Sequence, residues 1–97
     1  MYGLYAASYH GHVKIVEYLL EKRADVNQKR SDGTTAIMGA CKNGHSKIVE
    51  LLLEAKAEIG VTRVDGTSEI LLACRGGYFD IVKTLIKQGV NVTYTTF

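Results

Sequence analysis

Three segments of the sequence, GHVKIVEYLLE from Gly11, GHSKIVELLLE from Gly44 and GYFDIVKTLIK from Gly77, write nearly the same line at intervals of 33 residues. Set in rows of that length, the chain aligns well beyond those segments. Ile15, Ile48 and Ile81 share a column, as do Val16, Val49 and Val82, and Leu19, Leu52 and Leu85. Ala7, Ala40 and Ala73 fall together, and Asp32-Gly33-Thr34 sits over Asp65-Gly66-Thr67. A short unit recurring at a fixed period cannot bury its apolar side alone, so its copies must stack and share one extended core.

Each unit reads as a pair of helices and a loop. In HSKIVELLLEAK, the apolar residues Ile48, Val49, Leu52 and Leu53 form one stripe at helical spacing, with Lys47, Glu50 and Glu54 on the opposite face. Before it, TAIMGACKN spans about two turns of a shorter helix; Thr35 is placed to cap its first N–H groups, and Gly44 suits the left-handed residue that ends it. The stretch Ala24 to Thr34 is rich in turn formers, and Asp32-Gly33 marks a tight turn in a projecting hairpin-like loop.

The middle row, Asp32-Gly33-Thr34-Thr35-Ala36-Ile37-Met38-Gly39-Ala40-Cys41-Lys42-Asn43-Gly44-His45, closely resembles the line of the ankyrin repeat family, and Ala24-Asp25-Val26-Asn27 supplies its closing signature. The resemblance covers nearly the whole chain. It implies an all-α solenoid of stacked helix-turn-helix units joined by projecting β-hairpin-like loops. Residues 1–97 then form one domain, with repeats at approximately 1–31, 32–64 and 65–97. The family's Pro-Leu-His is replaced by Gly3-Leu4-Tyr5, Ala36-Ile37-Met38 and Glu69-Ile70-Leu71, so the hydrogen-bond network its Thr and His imply must give way to packing. The glycine that follows the second helix in the family remains as Gly89 but is Arg23 and Lys56 in the earlier rows, where a positive φ is expected.

Other classes of function find little support. The apolar content of 46% is enough for a core, yet no apolar run approaches the roughly eighteen residues of a membrane span, and the first residues lack the layout of a secretory signal. The net charge of +2 is mixed along the chain rather than gathered into a basic stripe, which makes nucleic-acid binding the weaker reading. Cys41 and Cys74 lie one repeat apart. Stacked helices are separated by about 8–10 Å, too far for a disulfide's Cα spacing of about 7 Å, so both are expected to be free, buried thiols in a reducing compartment, cytoplasm or nucleus. His10, His12 and His45 have no completing acidic or cysteine ligands and are read as structural. No nucleophile elbow, phosphate loop or zinc motif occurs, so neither enzyme activity nor a cofactor is expected.

In a stack, one column becomes one line across the molecular surface. The loop-tip residues Lys29, Arg30 and Arg63, and Lys42 with Arg75 at the ends of the short helices, form basic lines. The resemblance places them on the concave face that holds partners. The expected function is a non-enzymatic protein-binding module, these cations gripping an acidic or phosphorylated protein segment while Tyr9 or Met38 supplies apolar contact. Tyr2, Tyr5 and Tyr9 add an aromatic edge. The alternative is a structural spacer, or an excised or engineered minimal array with no partner of its own. The end repeats show no convincing polar cap, so self-association through exposed apolar ends is a further expectation. Leu19, Asp25, Val26 and Asn27 resemble the ankyrin pattern in which an asparagine is hydroxylated, making Asn27 a candidate modification site.

Overall fold

The structure, a computed structural model, describes residues 3–89. Tyr2 and the closing stretch from Val90 to Phe97, with Thr93, lie outside the described residues. Six helices and no strand occur among the described residues, in three pairs: α1 (Gly3–His10) with α2 (Val13–Glu21), α3 (Ala36–Asn43) with α4 (Ser46–Glu54), and α5 (Glu69–Gly76) with α6 (Phe79–Lys87). The first helices pack in the series α1, α3, α5, and the second helices in the series α2, α4, α6. The expected contrast between a short and a longer helix shrinks to eight residues against nine, because left-handed Lys56 stops α4 before the last residues of its segment.

The repeated columns explain the stacking. Ile48 and Leu52 on α4, and Ile81 and Leu85 on α6, are fully or almost fully buried against the preceding pair, and Val16 and Val49 are buried on the side that meets the following pair. Ala7, Ala40 and Ala73 are small enough to let the first helices approach closely. One continuous core therefore runs through all three units.

Helix ends are built alike in every unit. Gly44 and Gly77 take φ of 77° and 75°. The next residues, His45 and Tyr78, donate their N–H groups back to the carbonyls of Ala40 and Ala73, satisfying acceptors that a helix end otherwise leaves open. The ends of α2 and α4 repeat this with Arg23 and Lys56, whose N–H groups bond Leu20 and Leu53 while Ala24 and Ala57 bond Leu19 and Leu52. At helix starts the residues diverge. Ser68 accepts from the Leu71 N–H at 3.3 Å, whereas Thr35, although extended at the same position, makes no capping bond and its hydroxyl is buried without a partner. The β-branched side chain is stiffer at χ1 than serine, and here packing rather than capping sets its position.

The loops form tight hairpins closed by only an isolated Thr62–Ser68 bridge and short turn bonds. Arg30 N–H bonds the Thr34 carbonyl, and Gly33 N–H, at φ of 86°, bonds that of Arg30; Arg63, Gly66 and Thr67 repeat the pattern. Asp32 and Asp65 stiffen the turns by accepting from the backbone N–H of Thr34 and Thr67, each at 3.0 Å.

Arg23 and Lys56 do hold positive φ, at 64° and 72°. Replacing either with glycine is expected to raise stability by about 1 kcal/mol, read as a higher melting temperature. Unchanged or lower values for both Arg23→Gly and Lys56→Gly would refute the strain assigned to these positions.

Candidate partner-binding site

A groove of about 420 Å³ opens between the first helices and the loop tips, with Tyr5, Tyr9, His10, Arg30, Asp32 and Lys42 among the residues that line it. On one wall the Tyr5 and Tyr9 rings stack with centroids 5.7 Å apart, and His10 meets Tyr9 edge-on at 5.1 Å. The Arg30 guanidinium lies over the Tyr5 ring, 4.6 Å from its centroid, a cation–π contact that positions the charge at the groove. The rings fit because Gly39 lies beneath them. A Cβ at that position would come within 3.1 Å of Tyr5 and 3.4 Å of Tyr9.

The other wall is electrostatically divided. Arg63 is half-buried, and its guanidinium lies 3.4 Å from Asp32 and 3.8 Å from Asp65, so its charge is already answered within the fold. The hydroxyl and backbone N–H of Thr34 hold the Asp32 carboxyl below its usual range, and the nearby Arg63 and Arg30 add to that effect. The Val64 N–H also bonds the Asp32 carbonyl at 3.0 Å, so two successive hairpins are tied at the groove's edge.

The structure redistributes the roles expected of the sequence. Arg30 and Lys42 line the groove, exposed, and pair with no carboxylate among the described residues. Arg63 lines it too, but as a bridge between hairpins rather than a free cation. Lys29 and Arg75 are exposed and do not line it. Met38 also lines the groove, but at its floor: it is fully buried and belongs to the core stripe of α3. Tyr9 stands half-buried at the groove, and its carbonyl accepts from the Asn43 side chain at 2.8 Å and lies 3.0 Å from His45 Nε2. His45 is thus a structural tie, as expected. Tyr5 acts as the platform for Arg30 rather than as end packing alone, and Val64, which does not line the groove, is 80% exposed at a loop tip.

Asn27 lies in a turn, where its own N–H bonds Asp25 and its side-chain oxygen accepts from the Glu58 N–H at 2.7 Å. It ties one loop to the next. Among the described residues no group of three or more His, Cys, Asp or Glu side chains could hold a metal ion. Cys41 is a free, buried thiol, and Cys74 is free but only half-buried, because it faces away from the preceding units and no described unit covers it. Burial, with the nearby Glu69 adding to it, pushes the Cys41 thiol far up and keeps it protonated and inert.

Residues 4–96 match the family model of ankyrin repeats, in three copies. The chain belongs to the ankyrin repeat family. No curated protein matches it in direct sequence comparison. Ankyrin repeats are generally protein–protein interaction modules and are typically non-enzymatic, and no helix here is long and apolar enough to cross a membrane among the described residues.

Glu69 departs from the ankyrin line, standing where the family has proline, and it is completely buried. One carboxylate oxygen accepts from the Gly60 N–H, and the other has no partner. Burial pushes this carboxyl above its ordinary value of 4.5, and the Gly60 bond only partly opposes the shift. The protonated form is therefore favoured by folding. Its contribution to stability is full below the ordinary value and is lost as pH rises through the raised one. The melting temperature of Glu69→Gln should match that of the original near pH 4 and exceed it increasingly toward pH 7. A difference that does not change with pH would exclude Glu69 as the titrating group.

Proposed function

We propose that this ankyrin domain holds an acidic or phosphorylated segment of a partner protein in the groove between its first helices and loop tips. The observation that carries the reading is Arg30, held over the Tyr5 ring with no carboxylate partner among the described residues, on the same groove as Lys42, which likewise pairs with none of them. A planar guanidinium suits bidentate recognition of a carboxylate or phosphate, and a lysine nearby adds a second positive charge. The half-buried Tyr9 ring on the same groove gives apolar contact beside these charges. Asp32 and Arg63 answer each other's charge at the groove's edge, which leaves Arg30 and Lys42 as the unpaired cations lining it among the described residues, a small patch rather than the basic stripe of a nucleic-acid binder. A free-thiol chain of this kind fits a reducing compartment, the cytoplasm or the nucleus.

Selection from a peptide-display library, run in parallel on the original chain and on Arg30→Glu/Lys42→Glu, tests this reading. Acidic or phosphomimetic peptides should be enriched on the original and bind the variant about tenfold or more weakly, with affinity falling as salt rises. Equal enrichment on both folded proteins, or none on either, would favour a spacer without a partner at this groove. A steep salt dependence with no preference among acidic polymers would instead indicate nucleic-acid binding.

A further inference from the structure

The loops that leave α2 and α4 are tied down by different acceptors. In the first, Asp25 accepts from the Asn27 N–H at 2.9 Å through its carboxylate and from the Gln28 N–H at 3.3 Å through its carbonyl, so the segment closes on itself. One repeat on, Glu58 stands in the column of Asp25 and Gly60 in that of Asn27, and neither bond recurs among the described residues. Gly60 takes a φ of 79°, which Asn27 does not share, and its N–H donates to Glu69 at the start of α5. The residue one repeat before Glu69 is Ala36, which has no side-chain group to accept such a bond.

Glu69 thus supplies from the next helix what Asp25 supplies from within its own loop. The exchange moves the acceptor from water to the interior, because Asp25 is exposed and Glu69 is 0% exposed. The groups around the Glu69 carboxyl are the Cys41 thiol from α3, the Gly60 N–H from the loop and a backbone N–H of its own helix, with no cation among them. Its second oxygen is buried without a partner among the described residues. A buried carboxylate so placed loses its hydration and gains one hydrogen bond in return, which favours the neutral acid for as long as the site stays covered.

The cover is a short one. Ile59 and Val61 pack on the core's edge, and Gly60 between them is exposed. The Glu58 N–H is held by the Asn27 side chain at 2.7 Å, and Thr62 is bridged to Ser68. Between those two anchors the bond from Gly60 to Glu69 is the one hydrogen bond that joins the segment to the body among the described residues. Lifting the segment breaks that bond and uncovers two side chains while every helix stays in place, so it belongs to the low-cost openings of a fold.

We propose that Glu69 is a proton-controlled latch on the loop segment Ile59–Val61, holding it closed when protonated and releasing it when ionised. The sign follows from burial. In the closed form the carboxyl is pushed above its ordinary value of 4.5, and in the open form water reaches it, so the closed form binds the proton more tightly. The latch is fully closed below the ordinary value, and opening becomes about tenfold more favourable for each pH unit between that value and the raised one.

Hydrogen exchange of the Gly60 amide, followed by NMR on the full chain from about pH 4 to 8 and corrected for the intrinsic rate at each pH, reads the latch directly. Its protection factor should fall by about tenfold per unit within that window, and should lie about tenfold or more below those of the interior amides of α3, which exchange only when the fold opens. Glu69→Gln keeps an oxygen for the Gly60 N–H but does not titrate, so its Gly60 protection should be the same at every pH, while the α3 amides show that the variant is folded. A Gly60 protection that is constant with pH in the original chain, or that falls equally in Glu69→Gln, overturns the proposal. So does a Gly60 amide as protected as those of α3 throughout, since the proton would then control unfolding of the whole chain and not a local opening.

Discussion

The structure depends on an apolar contact that no single unit can make internally. A pair of eight- and nine-residue helices is too short to be stable in water by itself, and the stripe on each second helix has neighbours only when another unit lies beside it. Ile48, Leu52, Ile81 and Leu85 are buried for this reason, and the alanine column of the first helices sets how closely the units approach. The left-handed ends, the hairpin turns and the groove follow from keeping that contact in register.

The groove is a by-product of stacking that acquires chemical character from residues that differ between the repeats. Arg30 and Arg63 share a column, yet one lies over a tyrosine and pairs with no carboxylate among the described residues, while the other lies between two aspartates. The difference arises from the neighbour, not from the arginine. Before Arg63 stands the hairpin of Asp32, whereas Arg30 has Tyr5 beneath it. Gly39 contributes as well, because a Cβ there would press at 3.1 Å on Tyr5, the ring over which the arginine lies.

Most of the fold was legible from the 33-residue register, since the same physical demand acts on each column. The two-helix unit, the left-handed Gly44, and the positive φ of Arg23 and Lys56 all follow from position in the repeat. Site chemistry was less legible because it joins different columns. Asp32 and Arg63 are 31 residues apart, so a comparison at the repeat period does not pair them. Met38 reads as a surface residue beside Tyr5, but the α3 stripe carries it inward. Thr35 and Ser68 share a position and a capping chemistry, and only one makes the bond; that depends on side-chain packing, which a column of residue types does not contain.

The bonds from Asp32 to Thr34, Val64 and Arg63 have a kinetic consequence for the proposed ligand site. They hold neighbouring hairpins together before any ligand arrives, so little of the groove's edge has to be ordered during binding. Encounter is then governed by diffusion and by the pull of Arg30 and Lys42, which acts alike on ligands of similar charge. A wall fixed in advance sorts such ligands mainly by how long each one stays.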